Sequence, residues 1–178
     1  LSVVSTEHKG LGLFSTQSVP ANTTILRYCG EMIKSKECIQ RYQSYDAHKL
    51  NYILTVKEIY DGGENPVTIV TNIDATLKGG VARYINHCCD PNLDVVMDRE
   101  IAAFGTSDRP ANLIGVPTFV TRRLILPGEE LAFDYASSDL VKRDSDNIDR
   151  KGTCDSRVPC YCGANNCRGW LLNARINE

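Results

Sequence analysis

Three cysteines near the C-terminal end of the sequence are the residues whose type and spacing most directly indicate chemistry. Cys160, Cys162 and Cys167 lie in one short segment, a spacing too tight for a simple disulfide framework. Crowded thiols of this kind are typical of a metal site in an intracellular protein. A closed structural zinc site needs four ligands, so we expect a fourth ligand from elsewhere in the chain.

Five further cysteines are spread over the sequence: Cys29, Cys38, Cys88, Cys89 and Cys154. Free cysteine is most often a small buried apolar side chain, and we expect this of Cys29 and Cys38. Asn86 and His87 form a polar pair at the end of an apolar turn. From the residues alone, this pair could equally satisfy buried backbone groups or contact a ligand.

The elements that must position these residues are mostly short β-strands. Apolar runs at 2–4 and 11–14, separated by a glycine-bearing loop, predict two early strands. The β-prone stretches 52–60 and 67–73 flank the turn-rich segment 61–66, which predicts a hairpin. The sequence therefore indicates a mostly β domain.

Few helices are expected. Residues 36–49 predict the clearest one, because Ile39, Tyr42 and Tyr45 recur at helical spacing and Ser35 can cap its start. Residues 77–86 predict a short helix or turn. The later elements are a loop at 86–92 and two strands, one within 118–126 and one at 131–133.

Bulk properties favour one main domain and exclude several classes of function. The chain has 178 residues, of which 42% are hydrophobic and 24% charged, enough for one core. Because it lacks both a secretory signal pattern and an apolar run of about 18 residues, we expect an intracellular protein that does not span a membrane. A formal charge of −2 without a basic stripe argues against direct, sequence-specific nucleic-acid binding and suits a basic peptide.

Five segments, in this order, resemble the signature of the SET-domain protein lysine methyltransferases. They are Lys9-Gly10-Leu11-Gly12-Leu13-Phe14, Tyr28-Cys29-Gly30-Glu31, the segment Arg83 to Asn92, the segment Gly128 to Tyr135, and the post-SET-like segment Cys160 to Leu171. The resemblance covers about residues 3–172. It implies a mainly β (α+β) SET fold: several short β-sheets around a pseudoknot, few helices, and a small zinc-bound C-terminal segment.

The resemblance also implies a division of the chain. A SET domain is expected over 1–136, with a helix-bearing insert at about 36–75, followed by a post-SET zinc segment over 160–178. Residues 137–159 carry five acids and five bases with little apolar matter, so they predict a charged, solvated linker. The segment around Asn86 would be threaded by the segment that ends at Tyr135.

The cofactor implied by the resemblance is S-adenosylmethionine. The residues implied at its site are Lys9, Gly10, Leu11, Gly12, Tyr52, Arg83, Asn86, His87, Tyr135, Trp170 and Leu171. Glycines near the first of these would let the backbone approach the methionine end of the cofactor, because they lack a Cβ. The docked tail with Trp170 would cover the adenine.

The catalytic residues implied by the resemblance are Tyr135, Tyr28 and Phe133. Methyl transfer to an amine is a direct displacement, so it needs no covalent nucleophile. Tyrosine is seldom ionised at pH 7, and we therefore expect Tyr135 to orient the amine rather than act as a general base. Phe133 brings no hydroxyl to hold a water, which predicts activity beyond monomethylation.

The fourth zinc ligand implied by the resemblance is Cys89, the cysteine just before Asp-Pro-Asn, giving one structural four-cysteine site with Cys160, Cys162 and Cys167. Cys88 is the competing candidate. In either case the metal would tie the C-terminal segment to the cofactor loop, so that metal, fold and activity are coupled.

The expected substrate is a histone tail, as a peptide or in a nucleosome, which implies a nuclear, chromatin-associated protein. Residues 86–93 with Phe133 resemble enzymes that act on lysine 9 of histone H3, whereas 6–10 and 167–169 resemble those acting on lysine 4 or 36. Lysine 9 is slightly favoured. The alternatives are a methyltransferase of a non-histone protein, a SET-fold binding module with little activity, and a zinc-held interaction module.

Overall fold

A computed structural model describes residues 1–46, 52–60, 67–99, 115–136 and 158–171. Within these ranges the chain forms ten strands, one α-helix and one 3-10 turn. The elements are β1 Ser2–Thr6, β2 Gly10–Phe14, β3 Thr24–Arg27, β4 Glu31–Ile33, α1 Ser35–Asp46, β5 Ile53–Tyr60, β6 Val67–Asp74, the 3-10 turn Val81–Tyr84, β7 Asn86–His87, β8 Leu93–Asp98, β9 Val116–Thr121 and β10 Ala132–Phe133. The expected mainly β fold is confirmed.

The strands form three separate sheets. β1 and β2 are an antiparallel pair, and β4, β6 and β5 form a three-stranded antiparallel sheet in that order. The third sheet has five strands in the order β3, β9, β8, β10, β7. The predicted early strands and the predicted hairpin of β5 with β6 are both confirmed, whereas its turn lies outside the described residues.

The five-stranded sheet contains the threading that the family resemblance implied. β10 lies between β7 and β8 and runs parallel to both, so that Phe133 is flanked by His87 on one side and Leu93 on the other. Residues 88–92, which join those two strands, must therefore pass around β10. We call this arrangement the wrapped strand.

Asn92 closes the wrapped strand. Its side-chain oxygen accepts a hydrogen bond from Ala132 N at 2.9 Å, and its Nδ2 donates to Glu130 O at 2.8 Å and to Glu129 Oε1 at 2.9 Å. The residue is only 4% exposed. Because buried polar groups are costly unless they are paired, this amide fixes the end of the loop against the start of β10.

Helix α1 is fastened to the three-stranded sheet by one arginine. Arg41 pairs with Glu31 and Asp74 at 2.8 Å and with Glu37 at 2.6 Å, and the Tyr45 hydroxyl donates to the same Asp74 carboxylate at 2.9 Å. Asp74 is buried, so these partners offset the cost of desolvating its charge. The predicted helix is confirmed from Ser35 to Asp46, and 47–49 lie outside the described residues.

One apolar core joins the five-stranded sheet to the sheet of β4, β6 and β5. Its most deeply buried side chains, each no more than 1% exposed, include Leu13, Ile85, Leu93, Phe119, Ile125 and Leu131. They come from β2, the residue after the 3-10 turn, β8, β9 and the segment between β9 and β10. The core therefore supports the wrapped strand directly.

Three predictions made from local sequence patterns need correction. Residues 86–92 are not all loop, because β10 supplies a partner for β7 at Asn86 and His87. The strand expected within 118–126 ends at Thr121, where Arg122 N turns to bond Asn92 O at 2.9 Å. Cys38 is buried as expected, but Cys29 is exposed.

The 3-10 turn at Val81–Tyr84 confirms the short helix or turn expected within 77–86. Of the charged linker predicted at 137–159, only 158 and 159 lie among the described residues. A search of the described residues finds no helix with the length and apolarity needed to cross a membrane.

Replacing Ile85 by valine removes one buried methylene group from the core beside the wrapped strand. We expect the free energy of unfolding to fall by about 0.5–1.5 kcal/mol, because the structure collapses only partly around the gap. The same change at Ile59, which is 46% exposed in β5, should cost less than about 0.5 kcal/mol. Urea titration followed by circular dichroism measures both, and equal losses would contradict the core assigned here.

Candidate active site

A row of aromatic rings crosses the molecule at the wrapped strand. The ring of Phe119 lies 6.3 Å from that of Tyr28 and 5.1 Å from that of Phe133. Tyr135 continues the row, 4.7 Å from Phe133 and 5.2 Å from His87. Tilted and edge-to-face rings at these distances attract each other, so the row holds all three predicted catalytic residues in one apolar wall.

Tyr135 follows β10 directly and is held by two hydrogen bonds. Its hydroxyl donates to Ile85 O at 3.1 Å, and its backbone N–H donates to His87 Nδ1 at 3.2 Å. Although 36% of the residue is exposed, its hydroxyl points inward to that carbonyl. The Tyr135 hydroxyl therefore lies at the end of the 3-10 turn instead of on the protein surface.

Tyr28 presents a second hydroxyl near the same place. It is 6% exposed and donates to Tyr52 O at 2.8 Å, at the start of β5. Burial raises the pKa of both the Tyr28 and the Tyr135 hydroxyl well above the ordinary value of about 10, and the proximity of the two rings adds to the effect at Tyr28. Both phenols are therefore neutral donors at pH 7.

Tyr52 and Arg83 are also brought together. The guanidinium of Arg83 lies 5.4 Å from the Tyr52 ring centre and 4.9 Å from that of Tyr84. It donates to Ala75 O at 3.0 Å and to the Tyr84 hydroxyl at 2.7 Å. Through these contacts, Arg83 fixes the positions of the Tyr52 and Tyr84 rings beside it.

Glu130 joins the first predicted cofactor segment to the second. Its carboxylate pairs with Lys9 Nζ and accepts a hydrogen bond from Asn86 Nδ2 at 2.9 Å. The same Nδ2 donates to Leu11 O at 3.1 Å. Residues far apart in the sequence thus meet at one carboxylate. Sequence reasoning did not assign Glu130 to the site, although it lies in the segment Gly128 to Tyr135 that carries the resemblance.

Two positions at the start of β2 require glycine for different structural reasons. Gly10 has φ of +72°, a left-handed conformation that other residues rarely adopt. Gly12 has no such torsion, but a Cβ there would lie 2.8 Å from Glu130 Oε1 and 2.9 Å from Thr6 Cγ2. A side chain at residue 12 would therefore force the Glu130 carboxylate or the Thr6 side chain to move.

Four thiols converge beside this site. The Sγ atoms of Cys89, Cys160, Cys162 and Cys167 all lie within 4.8 Å of one another, with 4.0 Å between those of Cys89 and Cys160. A tetrahedral zinc with bonds of about 2.3 Å needs sulfurs about 3.8 Å apart, so the four thiols fit that metal. The Cys88 thiol is not in this group and donates to Asp90 O at 3.2 Å.

The surroundings of Cys162 favour its thiolate, the form that binds a metal, whereas burial raises the pKa of the Cys89 and Cys160 thiols. Although burial opposes ionisation, the backbone N–H groups of Cys89 and Ala164 lower the pKa of Cys162 to about 6. His87 accepts at Nδ1 from Tyr135, so its neutral ring carries its proton on Nε2, 3.2 Å from Cys89 Sγ. That sulfur must therefore act as an acceptor.

The C-terminal cysteine segment contacts the domain at two further points. Arg168 pairs with Asp134 through both nitrogens, at 2.8 and 2.6 Å. The Tyr161 ring lies 4.9 Å from the His8 ring, in the loop between β1 and β2. Trp170, 43% exposed, pairs with Pro159 in a short bridge, and Leu171 N donates to Val158 O at 2.8 Å.

The family of the chain follows from comparison with protein-family models. The model of the SET domain matches residues 10–136, which contain β2 to β10 and the wrapped strand. Since this match covers more than half of the 178 residues, the chain belongs to the SET domain family.

Individual proteins agree with this assignment. The chain is 34% identical to the histone-lysine N-methyltransferase, H3 lysine-9 specific, of Schizosaccharomyces pombe, over 97% of the chain and 33% of that protein. It is 34% identical to the histone-lysine N-methyltransferase, H3 lysine-36 specific, of Cryptococcus neoformans, over 96% of the chain and 16% of that protein. The structure resembles the methyltransferase domain of human histone-lysine N-methyltransferase SETMAR, with a TM-score of 0.71 and 26% identity over 96% of the chain and 56% of the solved chain. The chain spans about half or less of the length of the curated relatives it matches.

Removing Cys89 should separate the two candidates for the fourth ligand. In Cys89→Ser we expect zinc, measured by elemental analysis of the purified protein, to fall well below one equivalent, because only three thiolates remain. Cys88→Ser should keep one equivalent, because the Cys88 sulfur lies outside the cluster. Full zinc in Cys89→Ser, or loss of zinc in Cys88→Ser, would overturn this ligand set.

Proposed function

We propose that this chain is an S-adenosylmethionine-dependent protein lysine N-methyltransferase that acts on a histone tail. The observation that carries the proposal is the neutral Tyr135 hydroxyl, held at Ile85 O beside the wrapped strand and within the aromatic row. Membership of the SET domain family and the names of the relatives support the enzyme class. The proposal assigns the catalytic roles to Tyr135, Tyr28 and Phe133.

The residues proposed for the cofactor come from separate segments that already contact each other. Lys9 to Gly12 would supply backbone groups, and Asn86 and His87 lie opposite them, joined through Leu11 O. Polar backbone groups of this kind suit the charged amino and carboxylate ends of a methionine. Tyr52 and Arg83 would form the neighbouring wall, and Trp170 and Leu171 the cover over the adenine. The cofactor, when bound, supplies a methyl group on a positively charged sulfur.

The protein must present a neutral lysine amine to that methyl group. Deprotonating a lysine of pKa near 10.4 at pH 7 costs about 4.6 kcal/mol, at about 1.36 kcal/mol per pH unit. An apolar channel disfavours the ammonium form and so lowers this cost. Because the pKa of each phenol is raised, Tyr28 and Tyr135 are rarely ionised and cannot serve as bases at pH 7. Their role is to orient the amine for in-line attack with fixed hydroxyl dipoles.

Zinc at the four thiols would hold the post-SET segment, 160–178, against the SET domain, 1–136. The site is structural in this proposal, because all four positions of a tetrahedral ion are filled by cysteine sulfur. Its loss would release the cover over the cofactor and with it the contact between Arg168 and Asp134. Residues 137–159 would act as the linker between the two parts.

The proposed substrate is the tail of histone H3, bound beside β5. This strand lies at the edge of its sheet among the described residues, and an edge strand offers backbone groups that can pair with an extended peptide. Lysine 9 is slightly favoured over lysine 4 or 36, because of the resemblance of 86–93 with Phe133. A nuclear location on chromatin goes with such a substrate.

Transfer of label from S-adenosylmethionine to core histones and tail peptides tests the proposal. We expect label on an H3 peptide and a loss of at least about 100-fold in Tyr135→Phe, because one positioned donor is removed. Tyr45→Phe is the matched control, since it also loses one hydroxyl bond but on α1, and it should keep most of the activity. No label on any histone, with cofactor still bound, would sink the histone assignment in favour of a non-histone substrate or a binding module.

The number of methyl groups added tests the role of Phe133. This ring is 5% exposed and lies 4.7 Å from the Tyr135 ring, with no hydroxyl to hold a water beside the amine. We expect di- or trimethylated product from the wild-type chain, and mostly monomethylated product from Phe133→Tyr. Mass spectrometry of the peptide distinguishes them, and a single added methyl group in the wild type would contradict the prediction.

A further inference from the structure

Arg168 contacts three separate parts of the site at once. It directly follows Cys167, and its backbone N–H donates to Cys89 Sγ at 3.4 Å. Its guanidinium grips both oxygens of Asp134, at 2.8 and 2.6 Å. One of its nitrogens also lies 3.3 Å from His87 Nε2. A single residue, through its backbone N–H on one side and its guanidinium on the other, thus joins the thiol cluster to the wrapped strand.

Asp134 is the residue through which this grip reaches the aromatic row. It lies between Phe133 and Tyr135, and its side chain is 17% exposed. Its Oδ1 also accepts a hydrogen bond from Ala136 N at 2.9 Å, so it closes the turn that carries Tyr135. Paired hydrogen bonds between an arginine and a carboxylate are short, directional and strong. Arg168 therefore balances the charge of the Asp134 carboxylate and also fixes the direction of the turn that carries Tyr135.

His87, which accepts the backbone N–H of Tyr135, lies against the same guanidinium. The backbone N–H of Tyr135 donates to His87 Nδ1, and the other edge of the His87 ring faces Cys89 Sγ and the guanidinium. Without Arg168, the carboxylate of Asp134 would keep a charge in a largely enclosed place with one partner fewer. The turn would then rearrange to reach water, and the Tyr135 hydroxyl would leave Ile85 O.

We propose that Arg168 is a positioning residue for methyl transfer: docking of the cysteine segment places its guanidinium on Asp134, which holds the Tyr135 hydroxyl in its working position. This inference rests on the proposed function. It separates two roles within the cysteine segment. The cysteines hold the segment against the SET domain, and Arg168 transmits the docking of the segment to Tyr135 through Asp134.

The geometry allows this role to be distinguished from a role in building the metal site. The Arg168 side chain does not belong to the thiol cluster, and its hydrogen bond to a cluster sulfur comes from the backbone N–H, which both substitutions below keep. Arg168→Gln should therefore retain one equivalent of zinc. Arg168→Lys restores the charge but lacks the planar fork that binds both carboxylate oxygens, so it should recover activity only in part.

The test uses the full zinc-loaded chain and compares the wild type with Arg168→Gln, Arg168→Lys, Asp134→Asn and the double variant that combines Arg168→Gln with Asp134→Asn. We expect kcat to fall about 10- to 100-fold in Arg168→Gln and in Asp134→Asn, with KM for the cofactor changed less than about threefold. The double variant should be no worse than the poorer single variant, because both remove one interaction. Arg27→Gln, which breaks a pair with Asp98 at 3.7 Å on an exposed arginine of β3, is the matched control and should keep wild-type activity.

Amide hydrogen exchange at Tyr135 supplies a second readout that does not depend on catalysis. With zinc retained, exchange of this N–H should become at least about tenfold faster in Arg168→Gln, because its bond to His87 opens. Unchanged exchange at Tyr135 would overturn the role of Arg168. Absence of methylation by the wild-type chain would count only against the proposed function, because the exchange measurement needs no substrate. Loss of zinc in Arg168→Gln would also overturn it, since the residue would then act by building the metal site.

Discussion

The pairing of two residues of β10 with strands on both sides is the constraint on which the rest of the site depends. Phe133 pairs with His87 on one edge and with Leu93 on the other, Ala132 pairs with Asn86, and the Asn92 side chain bonds Ala132 N from the loop that passes around them. Because both edges of β10 are used, its side chains can point in only two directions. Phe133 thereby points into the aromatic row, and Tyr135 lies beside the end of the 3-10 turn.

Around this strand, charged groups and side-chain amides hold distant segments of the chain together. Glu130 connects Lys9 to Asn86, and Asn92 connects the loop to its strand. Neither tyrosine of the row is easily ionised, since burial stabilises the neutral phenol. A site of this kind favours a reaction in which orientation and exclusion of water matter more than proton removal by a side chain.

Sequence patterns predicted the elements that are set by local composition. The β-prone composition of 52–60 and 67–73, on either side of a turn-rich segment, was enough for the hairpin, and the spacing of Ile39, Tyr42 and Tyr45 for the helix. β7 was missed because two polar residues have no strand pattern of their own and pair with a partner some 46 residues away. β4, only three residues long, and β8, which follows a polar loop directly, were also not singled out. The wrapped strand itself was expected only from the family resemblance.

The same limit applies to the site. The cysteine spacing indicated a metal site, and the structure brings Cys89 into the group, as the resemblance implied. By contrast, Glu130, Asp134 and Arg168 act through contacts between distant segments, which no local pattern encodes. Tyr135 taken alone resembles a surface aromatic of a strand. Only the inward bond of its hydroxyl distinguishes it, and that bond requires the 3-10 turn to lie alongside.

The long separation between these partners has a consequence for how the protein is made. Lys9 and Glu130 are 121 residues apart, and Cys89 and Cys160 are 71 apart. Contacts of such long range form late, because closing large loops is slow and gains nothing until the ends meet. On a ribosome, the N-terminal strands and the hairpin would emerge well before β10 and the last three cysteines. The growing chain would thus hold its earlier strands without the pairing of β10 and without the complete thiol cluster until the last of these cysteines had emerged.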